Sequence, residues 1–419
     1  MLACDSGSPP EAAAAGERLA AAGVEIHLDT DGTQLLAGSE APRTLVKSPG
    51  VPVDASVVAE ARRRGIAIMG ELELGWRMVP NRFAAVTGTN GKTTTTELLG
   101  TIYRAAGRPV AVAGNVGTAL TSLAGRLDSE STVVCEASSF QLEDSAAFAP
   151  EVAVFLNFSA DHLDRHPSVA DYLAAKLRLF ANQEPSDFAV LNANEPALAG
   201  ADLGRAQPIW FGEEPGCDLS LGDGTLHWRG EPLMPASDVQ LRGAHNIENA
   251  MGAAAAALAD GVHPDAVREA LREFRGLPHR MELVRERGGV AYVNDSKATN
   301  VAAAAAALDS FAGGVHAILG GSLKGGDFTG LARAVRDRCE RCYLIGEAAQ
   351  RLAEDLADTH VELAQCGELE RAVSSAARRA HAGETVLLAP ACASFDQFTD
   401  YAARGERFRE LVGALPEPG

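Results

Sequence analysis

Residues 86–99 read VTGTNGKTTTTELL, and this stretch decides how the rest of the chain is read. A phosphate-binding loop carries a glycine five positions before its Gly-Lys pair. Counting back from Gly91 lands on Val86. The flanks nevertheless fit. FAAVT is a strand-like run, and TTTTELLGTIYRAAG has helical spacing that ends at Gly107. Strand, glycine loop and helix form the context a phosphate loop needs. Gly88 and Gly91 free backbone N–H groups to face phosphate oxygens, and the helix start adds its positive dipole end. Lys92 would neutralise β/γ-phosphate charge, and the Thr93 hydroxyl would meet Mg²⁺. Val86 shortens the glycine pattern but leaves every group the chemistry requires.

Working outward, Ala-rich helical stretches alternate with short β-rich runs, the α/β signature of parallel sheets with helices on their faces. The expected architecture is a truncated N-terminal Rossmann-like unit (1–80), a central P-loop ATPase domain with a mainly parallel sheet (81–277) and a C-terminal Rossmann-like domain (278–419). RMVPNR marks the first break. In the central block FAAVT, PVAVAG, TVVCEA, VAVFLN and FAVLN read as strands. AQPIWFG and LSLGDGTLHWRG read as a small antiparallel addition turning at Asp223-Gly224. VAYVN, VHAILGG, CYLIG and TVLLAPA supply the strands of the last block. The runs GAAAAALA and VAAAAAALD read as tightly packed helices, because Ala is the best helix former. The first block opens inside a strand, MLACD, where a doubly wound unit normally has a strand, glycine turn and helix. The expectation is that a first strand-loop-helix is lacking.

Composition bounds the partners. The 419 residues carry 37 Lys and Arg against 56 Asp and Glu, a net charge of −19. That argues against sequence-independent nucleic-acid binding and against docking on anionic lipid. It leaves room for an anionic small molecule held by a few local cations. No apolar run reaches the length of a membrane span. Seven scattered cysteines fit a reducing cytoplasm, so a cytoplasmic location is the expectation, and a monomer is expected as well. The CxxC of Cys339 and Cys342 lacks a second ligand pair and reads as a helix end running into a strand.

A P-loop enzyme needs an acidic partner for its metal. Glu136 ends an apolar strand and could reach the loop face of the sheet. His162, between Asp161 and Asp164, could bind metal or orient an anion. Leu173, Leu177 and Phe180 form the apolar stripe of a helix in which Lys176 would, by default, snorkel to the surface.

Nine ordered segments together resemble the Mur ligase family: GTNGKTT, GNVGTAL, CEASSFQLE, NFSADHLDRH, YLAAKLRLF, GAHNIENA, GLPHRME, NDSKATN and PACASFDQF. NDSKATN and PACASFDQF are the most selective, and within the family they point to the member that adds D-glutamate to UDP-N-acetylmuramoyl-L-alanine. The resemblance implies ATP-driven amide formation through an acyl phosphate, in peptidoglycan precursor synthesis. It also implies residue roles. Gly88, Thr89, Asn90, Gly91, Lys92, Thr93 and Thr94 would cradle ATP. Asn246 and Asn249 would meet the adenine, and Arg280 and Asp295 the γ-phosphate and ribose side. Thr93, Glu136, His162 and Lys176, the last as a carbamate, would hold two Mg²⁺ ions. Asn115 and Ser138, with His162, would touch the sugar nucleotide, and Asp5 and Ser48 match its uracil or diphosphate positions. Lys297, Thr299, Lys324, Ser394 and Phe395 would line the D-glutamate pocket. Lys92, Glu136, His162, Lys176 and Lys324 form the expected catalytic set. The rival expectations are a folylpolyglutamate synthase-like or L-glutamate-adding ligase, and a non-catalytic P-loop binding protein with an incomplete substrate unit.

Overall fold

The structure, a computed structural model, describes all residues except 8–9, 38–40, 160–164, 215, 242, 324–326 and 417–419, together with the side chains of 10–13. His162 and Lys324 therefore lie outside the described residues. Among those described, no helix is long and apolar enough to cross a membrane.

The N-terminal segment forms two separate parallel ladders. Strand β1 (Leu2–Cys4) pairs with β2 (Glu25–His27), and β3 (Thr44–Lys47) pairs with β4 (Ala67–Gly70). The nine-stranded central sheet contains β5 (Arg82–Thr87), β6 (Val110–Gly114), β7 (Thr132–Glu136), β8 (Val152–Phe155), β9 (Phe188–Asn192), β10 (Gln207–Gly212), β11 (Leu219–Gly222), β12 (Thr225–Trp228) and β13 (Glu231–Pro235). Its order is β13-β12-β11-β10-β9-β8-β5-β7-β6, parallel from β11 to β6 and antiparallel at β12 and β13. AQPIWFG is thus a correction: as β10 it continues the parallel sheet in register with β9, Ile209 opposite Val190. Asp223 and Gly224 do make the β11–β12 turn, both with positive φ (49° and 71°), as a two-residue hairpin of the favoured twist demands.

The six-stranded C-terminal sheet has the order β14 (Glu282–Arg287), β15 (Val290–Asn294), β19 (Thr385–Leu388), β16 (Val315–Gly320), β17 (Cys339–Ile345) and β18 (Glu362–Gly367). It is parallel except for the edge hairpin β14–β15. The helix Ala332–Arg338 runs directly into β17 at Cys339, and both cysteines of the CxxC are free and buried.

Both faces of the central sheet are covered, which is why β5 reads as an unbroken apolar run. Ala84 and Val86 pack with Leu98, Leu99 and Ile102 on one face, while Phe83 and Ala85 pack with Phe148 and Phe180 on the other. The helix Ala244–Ala259 lies on the first face with Ala253 to Ala257 fully buried. Its alanines let backbones approach: a Cβ on Gly252 would come within 2.9 Å of Leu156 Cδ2.

A buried ionic contact ties the N-terminal segment to the central unit. Lys47, 3% exposed at the end of β3, reaches Asp144 at 2.5 Å, Glu143 at 3.7 Å and the Val51 carbonyl at 3.0 Å. Glu143 also receives Arg165, and burial, ahead of these cations, pushes its carboxyl up. Breaking a buried pair strands the partner charge. Lys47→Met is expected to cost about 3 kcal/mol in urea unfolding; a loss below about 1 kcal/mol, the range of exposed pairs, would remove this contact from the interface energetics.

Candidate active site

The site is built at the carboxyl ends of β5 and β7, adjacent strands of a parallel sheet, where open α/β sheets place ligands. The loop after β5 turns at Gly88 (φ 152°) and Gly91 (φ 82°), and Lys92 starts the helix Lys92–Ala105. Gly91 is required twice over. Its φ belongs to the left-handed region, and an added Cβ would sit 2.0 Å from Asn249 Oδ1. Gly91→Ala is expected to displace the asparagine helix from the loop and lower stability by about 2 kcal/mol or more. Thermal unfolding with and without ATP checks this; an unchanged melting temperature and an unchanged ATP-induced shift would contradict it.

Asn157, just beyond β8, clamps the loop. Its carbonyl accepts from the Thr89 N–H (2.9 Å), its side-chain oxygen from the Asn90 N–H (2.9 Å), and its amide donates to the Asn90 carbonyl (3.2 Å). Its sequence signal is only a polar residue following the apolar strand VAVFL. Lys92 curls back so that Nζ donates to the carbonyls of Gly88 (2.9 Å) and Thr89 (2.8 Å). Thr93 is reached from the C-terminal unit: Arg280 Nη2 donates to its Oγ1 at 2.7 Å.

Glu136 ends β7 and is 3% exposed. One carboxylate oxygen accepts from the Asn115 amide at 3.0 Å. The other, Oε2, is buried without a hydrogen-bond partner among the described residues. A buried carboxylate oxygen without a partner is costly unless a cation or water joins it. Lys176 does not snorkel, which corrects the surface reading. It is 1% exposed, donates to the Gly88 carbonyl at 2.7 Å and lies 4.6 Å above the Tyr172 ring. The helix Val169–Leu177 aims it at the loop because Leu173 and Leu177 pack against the sheet beside Phe180.

Asn246 and Asn249, one turn apart and buried, bond to each other (3.1 Å) beneath Gly91. Asp295 is buried, and burial pushes its carboxyl up to about 7 against the opposing Met281 N–H (3.2 Å) and Arg280. Burial also lowers the Arg280 guanidinium, against the pull of Glu136 and Asp295. Lys297 is brought down to about 8, first by burial and then by Arg280 and Lys92, with Glu136 opposing. Its Nζ lies 4.0 Å from the Tyr401 ring centroid. Tyr401 starts the last helix, about 100 residues downstream, and no sequence pattern links the two. The fold therefore gathers Lys92, Thr93, Glu136, Arg280, Asp295 and Lys297 into one electrostatic neighbourhood.

Other expected residues are placed differently. Ser138 is the N-cap of the helix Ser139–Leu142 in a capping box with Gln141. Ser394 is buried and Phe395 is 65% exposed on the loop after β19, while Thr299 is half-buried after β15. Asp5 and Ser48 are exposed; Asp5 accepts from the Gly7 N–H at 2.9 Å. Among the described residues no hydrogen bond joins either to the P-loop cluster, although Lys47 tethers the turn beginning at Ser48 to the segment following the Ser138 helix.

Residues 86–257 match the Mur ligase middle domain, and residues 279–392 match the Mur ligase, glutamate ligase domain. A UDP-N-acetylmuramoylalanine–D-glutamate ligase from Koribacter versatilis is 44% identical over 380 residues, covering 89% of this chain and 83% of that protein. Its counterpart from Pelotomaculum thermopropionicum is 41% identical over 423 residues, covering 99% and 92%. The chain belongs to the Mur ligase family. The crystal structure of a MurF ligase from Thermotoga maritima in complex with ADP shares the fold, with a TM-score of 0.62 at 20% identity, covering 90% of this Mur ligase and 96% of that chain. As a Mur ligase the protein is an ATP-dependent, amide-bond-forming enzyme of peptidoglycan synthesis. Arg280 and Asp295 fall within the matched C-terminal region and the P-loop within the matched middle region.

Proposed function

We propose that this Mur ligase joins D-glutamate to the lactyl-alanine carboxylate of UDP-N-acetylmuramoyl-L-alanine, using ATP and releasing ADP and phosphate. The observation that carries the chemistry is the convergence of Lys92, Arg280 and Lys297 on the P-loop beside a buried Glu136 whose Oε2 has no partner among the described residues. The identity of the amino acid rests on the D-glutamate-adding relatives and on the NDSKATN and PACASFDQF segments.

A carboxylate resists attack by an amine because its charge repels nucleophiles and oxide is a poor leaving group. A carboxylate oxygen of the alanyl group attacks the γ-phosphorus of ATP, and ADP leaves. The amine of glutamate then attacks the acyl carbon, loses a proton, and the tetrahedral intermediate expels phosphate. The loop N–H groups and Lys92 hold the phosphates, Arg280 neutralises the transferring group, and Lys297 draws in the glutamate carboxylates. Withdrawal of Lys92 from its own loop carbonyls would accompany nucleotide binding. Glu136 fits a magnesium ligand, because its buried Oε2 has no partner among the described residues; Thr93, His162 and Lys176 as a carbamate complete the proposed set. Magnesium, when bound there, supplies positive charge to the phosphates.

A coupled phosphate-release assay tests the reading by omission. Release is expected only when ATP, UDP-N-acetylmuramoyl-L-alanine and D-glutamate are all present. Equal release with L-glutamate, or release with a folate acceptor, would reassign the substrate. Binding of ATP with no release under any combination would leave a binding protein.

A further inference from the structure

Arg404 lies in the last helix, Tyr401–Gly413, within the charged segment YAARGERF. It is 0% exposed. Its guanidinium makes five hydrogen bonds: Nε to Ser296 Oγ (2.9 Å), Nη1 to the carbonyls of Gly320 (3.5 Å) and Ala393 (3.3 Å), and Nη2 to the carbonyls of Ser296 (2.9 Å) and Cys392 (3.0 Å). Those acceptors sit just past the carboxyl end of β15, at the last residue of β16 and on the loop after β19, and these three strands are neighbours in the sheet. Ser296 precedes Lys297, Ala393 precedes Ser394, and Gly320 opens the loop that leads to residue 324. The loops are also packed onto one another. The Ser322 N–H donates to the Ala393 carbonyl at 2.9 Å, and a Cβ on Gly321 would lie 2.2 Å from that carbonyl oxygen and 3.0 Å from Arg404 Nη1.

A guanidinium has five N–H donors in a rigid fork, and no lysine can reproduce that geometry. Among the described residues no carboxylate forms an ion pair with it, and its hydrogen bonds all go to carbonyls and a hydroxyl. We infer that Arg404 is a positioning residue for the amino-acid substrate, fixing the loop after β15, which carries Lys297 and Thr299, and the loop after β19, which carries Ser394, against each other and against the end of β16. This rests on the assignment of those residues to the amino-acid pocket. Misplacing a binding group by about 1 Å costs on the order of 100-fold in rate, and the P-loop belongs to the central unit, so the defect should fall far more heavily on the amino acid than on the nucleotide, which the C-terminal unit meets only through Arg280 and Asp295.

The test compares wild type, Arg404→Lys and Arg404→Met as full-length proteins in the phosphate-release assay. Arg404→Met is expected to raise the KM for D-glutamate on the order of 100-fold, with the KM for ATP within about threefold of wild type. Arg404→Lys, which keeps the charge but loses the fork, should fall between them. An unchanged D-glutamate KM, or KM values for ATP and glutamate that rise together, would overturn the positioning role. Should Arg404→Met fail to fold, Arg404→Lys carries the same comparison. Wild type inactive with D-glutamate but active with another amino acid would refute the substrate assignment, and the selective KM rise would then be read for that amino acid. If wild type turns over no amino acid, amide hydrogen exchange decides. Protection lost at 295–299 and 391–397 but kept at 86–95 upholds the role, and unchanged or uniformly reduced protection overturns it.

Discussion

Lys92→Ala loses turnover by at least about 10³-fold while the protein remains folded. Lys92 starts the P-loop helix, and the two hydrogen bonds it makes among the described residues go to carbonyls of its own loop. Removing it therefore takes away charge meant for phosphate without opening a cavity. The thermal midpoint should shift by only a few degrees, and far-UV circular dichroism should not change. Steady-state phosphate release beside a melting curve checks both halves. Activity within about tenfold of wild type would remove Lys92 from phosphoryl transfer. A collapse of the melting temperature would make the lost activity a folding effect.

Lys176→Ala is the second large effect. Its ammonium is buried, lies over the Tyr172 ring and donates to the Gly88 carbonyl, so it stands under the phosphate loop from the side of the helix Val169–Leu177. As a carbamate it would present two oxygens where the free amine presents donors. Loss of those oxygens is expected to lower kcat on the order of 10³-fold. Millimolar formate or acetate should restore part of it by entering the vacated space. Growth or assay without bicarbonate and carbon dioxide should lower the activity of wild type but not of the variant. A variant that keeps wild-type kcat would exclude a catalytic role for Lys176; one that is inactive and gains nothing from any short carboxylate would count against the carbamate.

The parts of the fold that were legible are those in which local pattern and burial agree. β5, the glycine loop and the following helix can be read from residues 82–107 because the strand is buried on both faces and the helix is amphipathic toward one of them. The failures have physical reasons. β14, ELVRER, has four charged residues of six at a solvated edge and lacks the alternation of a strand, so it resembles a loop. β13, EPLMP, carries two prolines that only an edge strand tolerates. β18, ELAQCG, is a short edge strand that mixes polar Glu362 and Gln365 with small residues and has no β-branched or aromatic side chain. β10 was seen as a strand, but its apolar pattern says nothing of the direction of its neighbour, which the crossover sets. In the site, Lys92 and Glu136 stand out in the sequence because charge in a glycine loop or at a strand end is conspicuous, whereas only the family resemblance singles out Arg280. Lys176, whose default reading is a surface lysine, and Arg404, which no sequence pattern singles out, are buried by groups far away in the chain, the Gly88 carbonyl and the carbonyls of Ser296 and Cys392.

The central claim is that the γ-phosphoryl group passes to a substrate carboxylate and not to water. Its most direct test is oxygen transfer. UDP-N-acetylmuramoyl-L-alanine with both alanyl carboxylate oxygens replaced by heavy oxygen is turned over with ATP and D-glutamate, and the released phosphate is weighed by mass spectrometry. An acyl phosphate requires that one labelled oxygen end in each phosphate and the other stay in the new amide. Phosphate that carries no label, with the amide formed, would contradict the account.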